Sequence, residues 1–345
     1  MKRITKIVCT IGPASSDLET LTAMFNSGMN VARLNMSHGT HESHQKLIDT
    51  LAPLRKKGLK LMIDTKGPEI RIGTFEQGSV FLENGQRFTF TTKDVLGNQN
   101  GVSLKYKELI NDVRVGDKIY ANNGLLVLSI QKITKTDIIC CVEFGGKLSN
   151  NKSLNVPGVV PNSPYISPAD HDDILFALKN NADYLALSFV SSAKNVLDVR
   201  KLIANNAPDA QIQLISKIEN AHGVNHAPDI LDVSDGLMVA RGDLGVEIPL
   251  YKIPPIQKKL ISLCNVKKKI CIVATEMLES MTNSTRPTRA EVNDVAAAIY
   301  EEATATMLSG ETAAGINPLL VVQTMGQIID EVEKHMYQIK VKPKI

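Results

Sequence analysis

The sequence predicts an α/β fold, a TIM (β/α)8 barrel carrying a small all-β lid domain inserted after barrel strand 3, and three observations carry that prediction. Eight short runs rich in Val, Ile and Leu end in polar or glycine-containing turns. Most of the gaps between them have the apolar spacing of amphipathic helices, and eight such βα units are the pattern of a barrel of about 250 residues. One gap, from Pro68 to Pro164, gives up the helical period for β alternation. The expected domains are 1–67 for the first part of the barrel, 68–164 for the insert and 165–345 for the second part.

In chain order the runs are Ile7-Val8-Cys9, Val31 to Leu34, Leu59 to Ile63, Tyr184 to Leu187, Ile212 to Ile215, Leu237 to Val239, Ile270 to Val273 and Thr306 to Leu308. Helix starts are marked by Ser16-x-x-Glu19 and Thr288-x-x-Glu291, which read as capping boxes, and by Ser167-Pro168, which puts proline at a first helical position. Inside the insert, Lys118-Ile119-Tyr120 and Leu125 to Leu128 read as strands, with turns at Asn84-Gly85, Asn122-Asn123-Gly124 and Gly145-Gly146. An insert placed there overhangs the C-terminal face, where such barrels keep their active sites. A lid is therefore the expected role, and a purely structural insertion the alternative.

Composition narrows the function. A chain of 345 residues that is 43% hydrophobic can bury a large core. A scattered net charge of +3, no tryptophan and few aromatic residues give no electrostatic footprint or stacking platform for nucleic acid. No apolar run approaches the roughly 18 residues of a membrane span, and Met1 to Lys6 leads straight into a strand. A cytoplasmic protein is expected, with neither nucleic acid nor membrane as a partner. Cys9, Cys140, Cys141 and Cys271 fall in strand-like runs and Cys264 in a helical one, without metal-type spacing, so they read as ordinary core thiols.

The chemistry sits at the ends of the runs. Lys217-Ile218-Glu219 and the run Ala240-Arg241-Gly242-Asp243 bring a cation and two carboxylates to neighbouring strand ends, and a period of two points residues 217 and 219 to one side. Two hard oxygen ligands suit Mg²⁺, and a lysine beside them suits a phosphoryl group or an oxyanion. A buried ion pair bracing two strands would use the same residues. Other ends add Thr10 to Pro13, Arg33 to Gly39, Asp64 to Arg71, Thr275-Glu276 and Ser309 to Thr312. Helix capping accounts for Thr10, Ser309 and Thr275, but not for Arg33, Lys217 and Arg71. Three cations, several carboxylates and turn amides on one face suit a phosphate-bearing substrate.

These strings resemble the pyruvate kinase family: Cys9-Thr-Ile-Gly-Pro-Ala-Ser15, Ala32-Arg-Leu-Asn-x-Ser-His-Gly39, Asp64-Thr-Lys-Gly-Pro-Glu-Ile-Arg71, Ile215-Ser-Lys-Ile-Glu-Asn220, Met238-Val-Ala-Arg-Gly-Asp-Leu-Gly245, Arg286-Pro-Thr-Arg-Ala-Glu291 and Met307-Leu-Ser-Gly-Glu-Thr-Ala313, in order from Lys6 to about Pro318. The resemblance implies phosphoryl transfer from phosphoenolpyruvate to ADP, with protonation of the enolate to pyruvate. It implies that Glu219 and Asp243 hold Mg²⁺ or Mn²⁺, and that Lys217 and Arg33 hold the phosphoryl group. Amides around Ala240, Gly242 and Asp243 would meet the substrate carboxylate, and Thr275 would position the group that protonates the enolate. Asn35, Ser37, Asp64 and Thr65 match a K⁺ site; Thr10, Pro13, His38, Arg71 and Lys152 match nucleotide contacts. A glutamate at position 69 goes with K⁺ dependence in the family.

The chain departs from the family at Glu276, where glutamine is common, at Asn122-Asn123-Gly124, where Asp-Asp-Gly is usual, at Ser43, where an aromatic is usual, and at Ala314, where lysine is usual. It ends at Ile345, where the family normally continues into a C-terminal regulatory domain, so barrel and lid without that domain are expected. A homodimer through helices around Pro254 to Lys268 and Thr288 to Glu302 is compatible with the pattern. Two other functions use parts of the same residue set, namely a Mg-dependent enolpyruvate lyase or mutase and an inactive or regulatory nucleotide-binding form. The first has no use for Arg71 and Lys152.

Overall fold

A computed structural model describes residues 3–341 of the chain. Its eight parallel strands are β1 (Lys6–Thr10), β2 (Met29–Asn35), β3 (Lys60–Asp64), β4 (Tyr184–Leu187), β5 (Gln213–Ile218), β6 (Gly236–Ala240), β7 (Ile270–Ala274) and β8 (Ala305–Leu308). They close into a barrel in sequence order, with β8 paired to β1. The main helices are α1 (Leu18–Asn26), α2 (His41–Arg55), α3 (Pro168–Lys179), α4 (Ala193–Asn206), α5 (Ala227–Val233), α6 (Ile253–Val266), α7 (Arg289–Tyr300) and α8 (Pro318–Val341). Each apolar run read from the sequence falls on one of the eight strands, with Leu59 and Ile212 one residue before theirs begin. The ends of the chain, at 1–2 and 342–345, lie outside the described residues.

Strand parity sorts the core into two layers. Val8, Val31, Met62, Ala186, Ile215, Met238, Ile272 and Met307 fill the barrel interior. Their neighbours Ile7, Cys9, Ala32, Ile63, Leu214 and Val273 pack outward against the helices. Because side chains alternate, the inner layer continues two residues on to Thr10, Arg33, Asp64, Ser188 and Lys217. The polar mouth of the barrel is thus the top layer of its own core.

The segment between β3 and α3 forms a second β unit. Its seven-stranded sheet runs in the order 70–71, 153–155, 118–121, 126–133, 137–144, 87–91, 101–103, beside a two-stranded ribbon of Ser79–Leu82 and Gly146–Ser149. A separate core of Phe88, Phe90, Leu128, Cys140 and Val142 holds it together. Its turns at Gly85, Asn122, Asn123, Gly124 and Gly146 take positive φ, a conformation open to glycine and tolerated by asparagine.

Two helix starts follow the sequence reading and one shifts. Thr288 and Glu291 cap each other reciprocally, and Ser167 precedes Pro168 in the same arrangement. At α1 the cap is Asp17, whose carboxylate accepts the Thr20 amide at 2.8 Å, so the Ser16–Glu19 box is not formed. Aspartate outcompetes the serine one residue earlier because its charge also favours the positive end of the helix. All five cysteines are free, Cys141 half-buried and the others buried. Among the described residues, no helix is long and apolar enough to cross a membrane.

Candidate active site

The top layer of the barrel is a continuous charge network. Asp64, fully buried, accepts Arg33 Nε at 2.6 Å on one oxygen and Lys217 Nζ at 3.1 Å on the other. Lys217 also meets Glu219 Oε1 at 3.0 Å and Ser188 Oγ at 2.7 Å. Arg33 reaches Thr10 Oγ1 at 2.8 Å, and Thr10 donates in turn to the Leu308 carbonyl at 3.0 Å. Thr10 is therefore a link between strands and not the helix cap that its position suggests. Ser309 does stand before the short helix Gly310–Ala313, yet makes no capping bond. Glu311 holds the Leu278 and Ser309 amides, which ties the ends of β7 and β8 together.

Burial opposes every charge here, and the neighbours decide the outcome. Burial works against an ionised Asp64, but Arg33 and Lys217 hold its carboxyl below the usual range. Burial also disfavours the Lys217 ammonium, and Asp64 and Glu219 overcome it, keeping the lysine charged. Glu219 and Asp243 come out the other way, with burial the largest cause in each. Glu219 is pushed up to about 7 and Asp243 is raised, although Lys217 pulls both down. Buried Glu219 and half-buried Asp243 thus stay raised despite Lys217, which pulls on both, and Arg33, which pulls on Asp243, and a divalent cation satisfies that electrostatic demand.

The ends of β6 and β7 form a second cluster. Thr275 Oγ1 accepts the Gly242 amide at 2.7 Å and donates to the Ala274 carbonyl at 2.6 Å. Thr275 and Glu276 both take positive φ, 71° and 54°, unusual above all for a β-branched residue. Arg241 spans the strained peptide, bonding the Thr275 carbonyl at 2.7 Å and Asp294. It faces away from the Lys217 network.

The residues matched to nucleotide contacts separate into two groups. Thr10, Pro13 and His38 line one cleft of about 870 Å³, along with Arg33 and Asn35. Two of the family departures, Ser43 and Ala314, line the same cleft. Arg71 and Lys152 lie on the insert instead; Arg71 is paired with Glu69 at 2.7 Å and bonds the Asn151 carbonyl. Of the K⁺ candidates, Asn35 Oδ1 accepts the Ser37 amide and Thr65 Oγ1 faces the Ala186 carbonyl, so all four bring oxygen and only Asp64 brings charge.

Sequence reasoning missed Ser188 and Phe189, at the end of β4. Ser188 Oγ bonds the Thr65 carbonyl at 2.7 Å and Asp64 at 3.2 Å, and the Phe189 amide bonds Glu219 Oε2 at 2.6 Å from a backbone with φ of 55°. Parity was the available signal, since Ser188 stands two residues after Ala186 in the inner layer. Glu247 was also missed. It lines a small cavity with Asn155, Tyr165 and Asp243 between insert and barrel.

Burial pushes the Glu247 carboxyl from 4.5 up to about 7, against the pull of Gly158 and Asn155 on the insert. A raised carboxyl contributes stability that is complete below the unfolded value and lost as pH rises through the folded one. Glu247→Gln should therefore raise the melting temperature at pH 8, by the equivalent of about 1–3 kcal/mol, and leave it unchanged at pH 4.5. An equal shift at both pH values would show that the carboxyl does not titrate in this window.

A parallel barrel whose mouth gathers buried cations and paired carboxylates under a β insert is the architecture of an enzyme for small anionic substrates. Comparison with known proteins narrows the class. The family model "Pyruvate kinase, barrel domain" matches residues 2–322, and the chain belongs to this family. It is 48% identical over 334 residues to pyruvate kinase of Geobacillus stearothermophilus, covering 95% of this chain and 57% of that protein. Against pyruvate kinase of Bacillus licheniformis it is 47% identical over 345 residues, covering 98% and 59%. Among solved structures, a pyruvate kinase from Cryptosporidium parvum superposes with a TM-score of 0.91 at 40% identity, covering 99% of this chain and 73% of that one. The chain thus spans just over half the length of the curated relatives it matches.

Proposed function

We propose that this chain transfers the phosphoryl group of phosphoenolpyruvate to ADP, giving pyruvate and ATP, as a cytoplasmic glycolytic enzyme. The observation that carries the reading is Lys217, charged and buried, held among Asp64, Glu219 and Ser188 with Arg33 across the same aspartate. In the reaction, an oxygen of the ADP β-phosphate bonds the phosphorus, the bond to the enol oxygen breaks, and the enolate takes a proton at carbon. Arg33 and Lys217 supply fixed positive charge to the phosphoryl oxygens, and Lys217 also to the enolate oxygen, where preorganised charge contributes most. Thr275 and the Gly242 amide, bonded to each other here, open to receive the substrate carboxylate and the proton donor.

Glu219 and Asp243 fit a Mg²⁺ or Mn²⁺, because both are oxygen donors whose burial lacks enough positive charge. When bound, that ion supplies Lewis-acid neutralisation of substrate oxygens. Asn35, Ser37, Asp64 and Thr65 fit a K⁺ by their oxygen chemistry. ADP occupies the cleft of Thr10, Pro13 and His38, while Arg71 and Lys152 reach it from an insert, 68–164, that acts as a lid. Helices α6 and α7 form the interface of a homodimer.

The test is a coupled assay with phosphoenolpyruvate, ADP, Mg²⁺ and K⁺. Turnover that depends on both substrates supports the reading, and ADP-independent consumption of phosphoenolpyruvate refutes it. Replacing Glu69 by lysine should also relieve the K⁺ requirement, since the ammonium supplies the positive charge that the ion would otherwise bring. Equal activity of the parent with and without K⁺ would remove the proposed ion.

A further inference from the structure

We propose that Ser188 is a positioning residue for Lys217, fixing the direction of the ammonium from which phosphoryl transfer is served; this rests on the function proposed above. Lys217 has three N–H groups and three partners, Asp64, Glu219 and Ser188, and the serine makes the shortest contact, at 2.7 Å. The two carboxylates attract the ammonium through charge, which is weakly directional. Ser188 is the neutral partner, and a neutral hydroxyl acts through geometry alone.

The geometry of that hydroxyl is imposed on it. Ser188 Oγ has one proton and two neighbours that can only accept, the Thr65 carbonyl at 2.7 Å and Asp64 Oδ1 at 3.2 Å, so it donates to the nearer carbonyl and turns a lone pair to Lys217. The serine backbone is equally fixed. Its carbonyl accepts the buried Tyr165 hydroxyl at 2.8 Å, and Gly67, with φ of 68°, lies so near that any side-chain carbon there would sit 2.7 Å from the same oxygen. On the other side, Phe189 holds a left-handed backbone that aims its amide at Glu219. Strain of this kind persists where the surroundings over-determine it. The Ser188–Phe189 corner therefore holds both members of the Lys217–Glu219 pair, one through a hydroxyl and one through an amide.

Ser188→Ala removes the direction without changing the charge of the network. Turnover should fall about tenfold while the KM for phosphoenolpyruvate stays within about threefold, the pattern of an interaction stronger in the transition state. Ser188→Thr, which keeps the hydroxyl, should recover turnover to within about threefold of the parent. A readout independent of turnover is the binding of oxalate with Mn²⁺, because oxalate carries the charge and oxygen spacing of an enolate beside a carboxylate. Its affinity should drop about tenfold in Ser188→Ala. Ser188→Cys, of similar size but weak in hydrogen bonding, carries the test should the alanine variant lose its fold.

A Ser188→Ala protein within twofold of the parent in both turnover and oxalate affinity overturns the proposal. So does one in which KM rises and kcat is unchanged. A parent that neither turns over nor binds oxalate overturns the functional reading itself, a result distinct from either.

Discussion

Lys217→Met is expected to lower turnover by at least about 10²–10³, with phosphoenolpyruvate and Mn²⁺ binding retained within severalfold at pH 8. Removing one preorganised neutral donor at a developing oxyanion has an effect of that size, and a buried ammonium is a stronger donor. The structure adds a second consequence. Lys217 is the strongest influence holding Glu219 down against its burial, so without it the Glu219 carboxyl rises above about 7. The variant should therefore bind Mn²⁺ progressively less well than the parent as pH falls from 8 to 6, because a protonated Glu219 is a poor ligand. Turnover within tenfold of the parent would remove Lys217 from the chemistry. A pH-independent ratio of Mn²⁺ affinities would remove the electrostatic link between the lysine and Glu219.

How much of this was legible in the sequence follows from the physics of each feature. The barrel strands were legible because burial on both faces demands nearly continuous apolar runs, which few other structures require. The insert was legible because its strands alternate about a core of their own and turn at Asn-Gly and Gly-Gly pairs. Charged members of the site stood out because charge at the end of an apolar run is expensive unless used. Ser188 escaped notice because a serine after Leu185-Ala186-Leu187 is what any strand end shows; its role appears only when Thr65 and Lys217 arrive from other strands. Thr10 misled for the reverse reason, since a threonine before a turn is a good helix cap in isolation, whereas here Arg33 and Leu308 claim its hydroxyl. The positive φ at Thr275 carries no sequence mark at all. It is held by bonds from Arg241 and Gly242, which lie just past the end of the neighbouring strand β6.

Asp64 should give the largest effect on stability. Its carboxylate, with no exposed surface, is shared by Arg33 at 2.6 Å and Lys217 at 3.1 Å, both buried and both charged. Asp64→Asn keeps the shape but leaves two cations facing each other with one charge fewer between them. Breaking a buried ion pair from one side typically costs about 3–5 kcal/mol, because the partner is left uncompensated. The sign with pH can be worked out. Although burial pushes the other way, Arg33 and Lys217 lower the Asp64 carboxyl in the folded state, so its contribution is present above the unfolded value of 3.8 and lost as pH falls through the folded one. The parent and variant should thus differ most at neutral pH and converge in strong acid, as followed by denaturant midpoints at pH 7 and near pH 3. Multivalent anions such as inorganic phosphate should narrow the neutral-pH gap, since an anion seated between Arg33 and Lys217 restores the missing charge. A difference below about 1 kcal/mol at pH 7 would mean that the two cations find other partners, and that Asp64 is not the keystone of the barrel mouth.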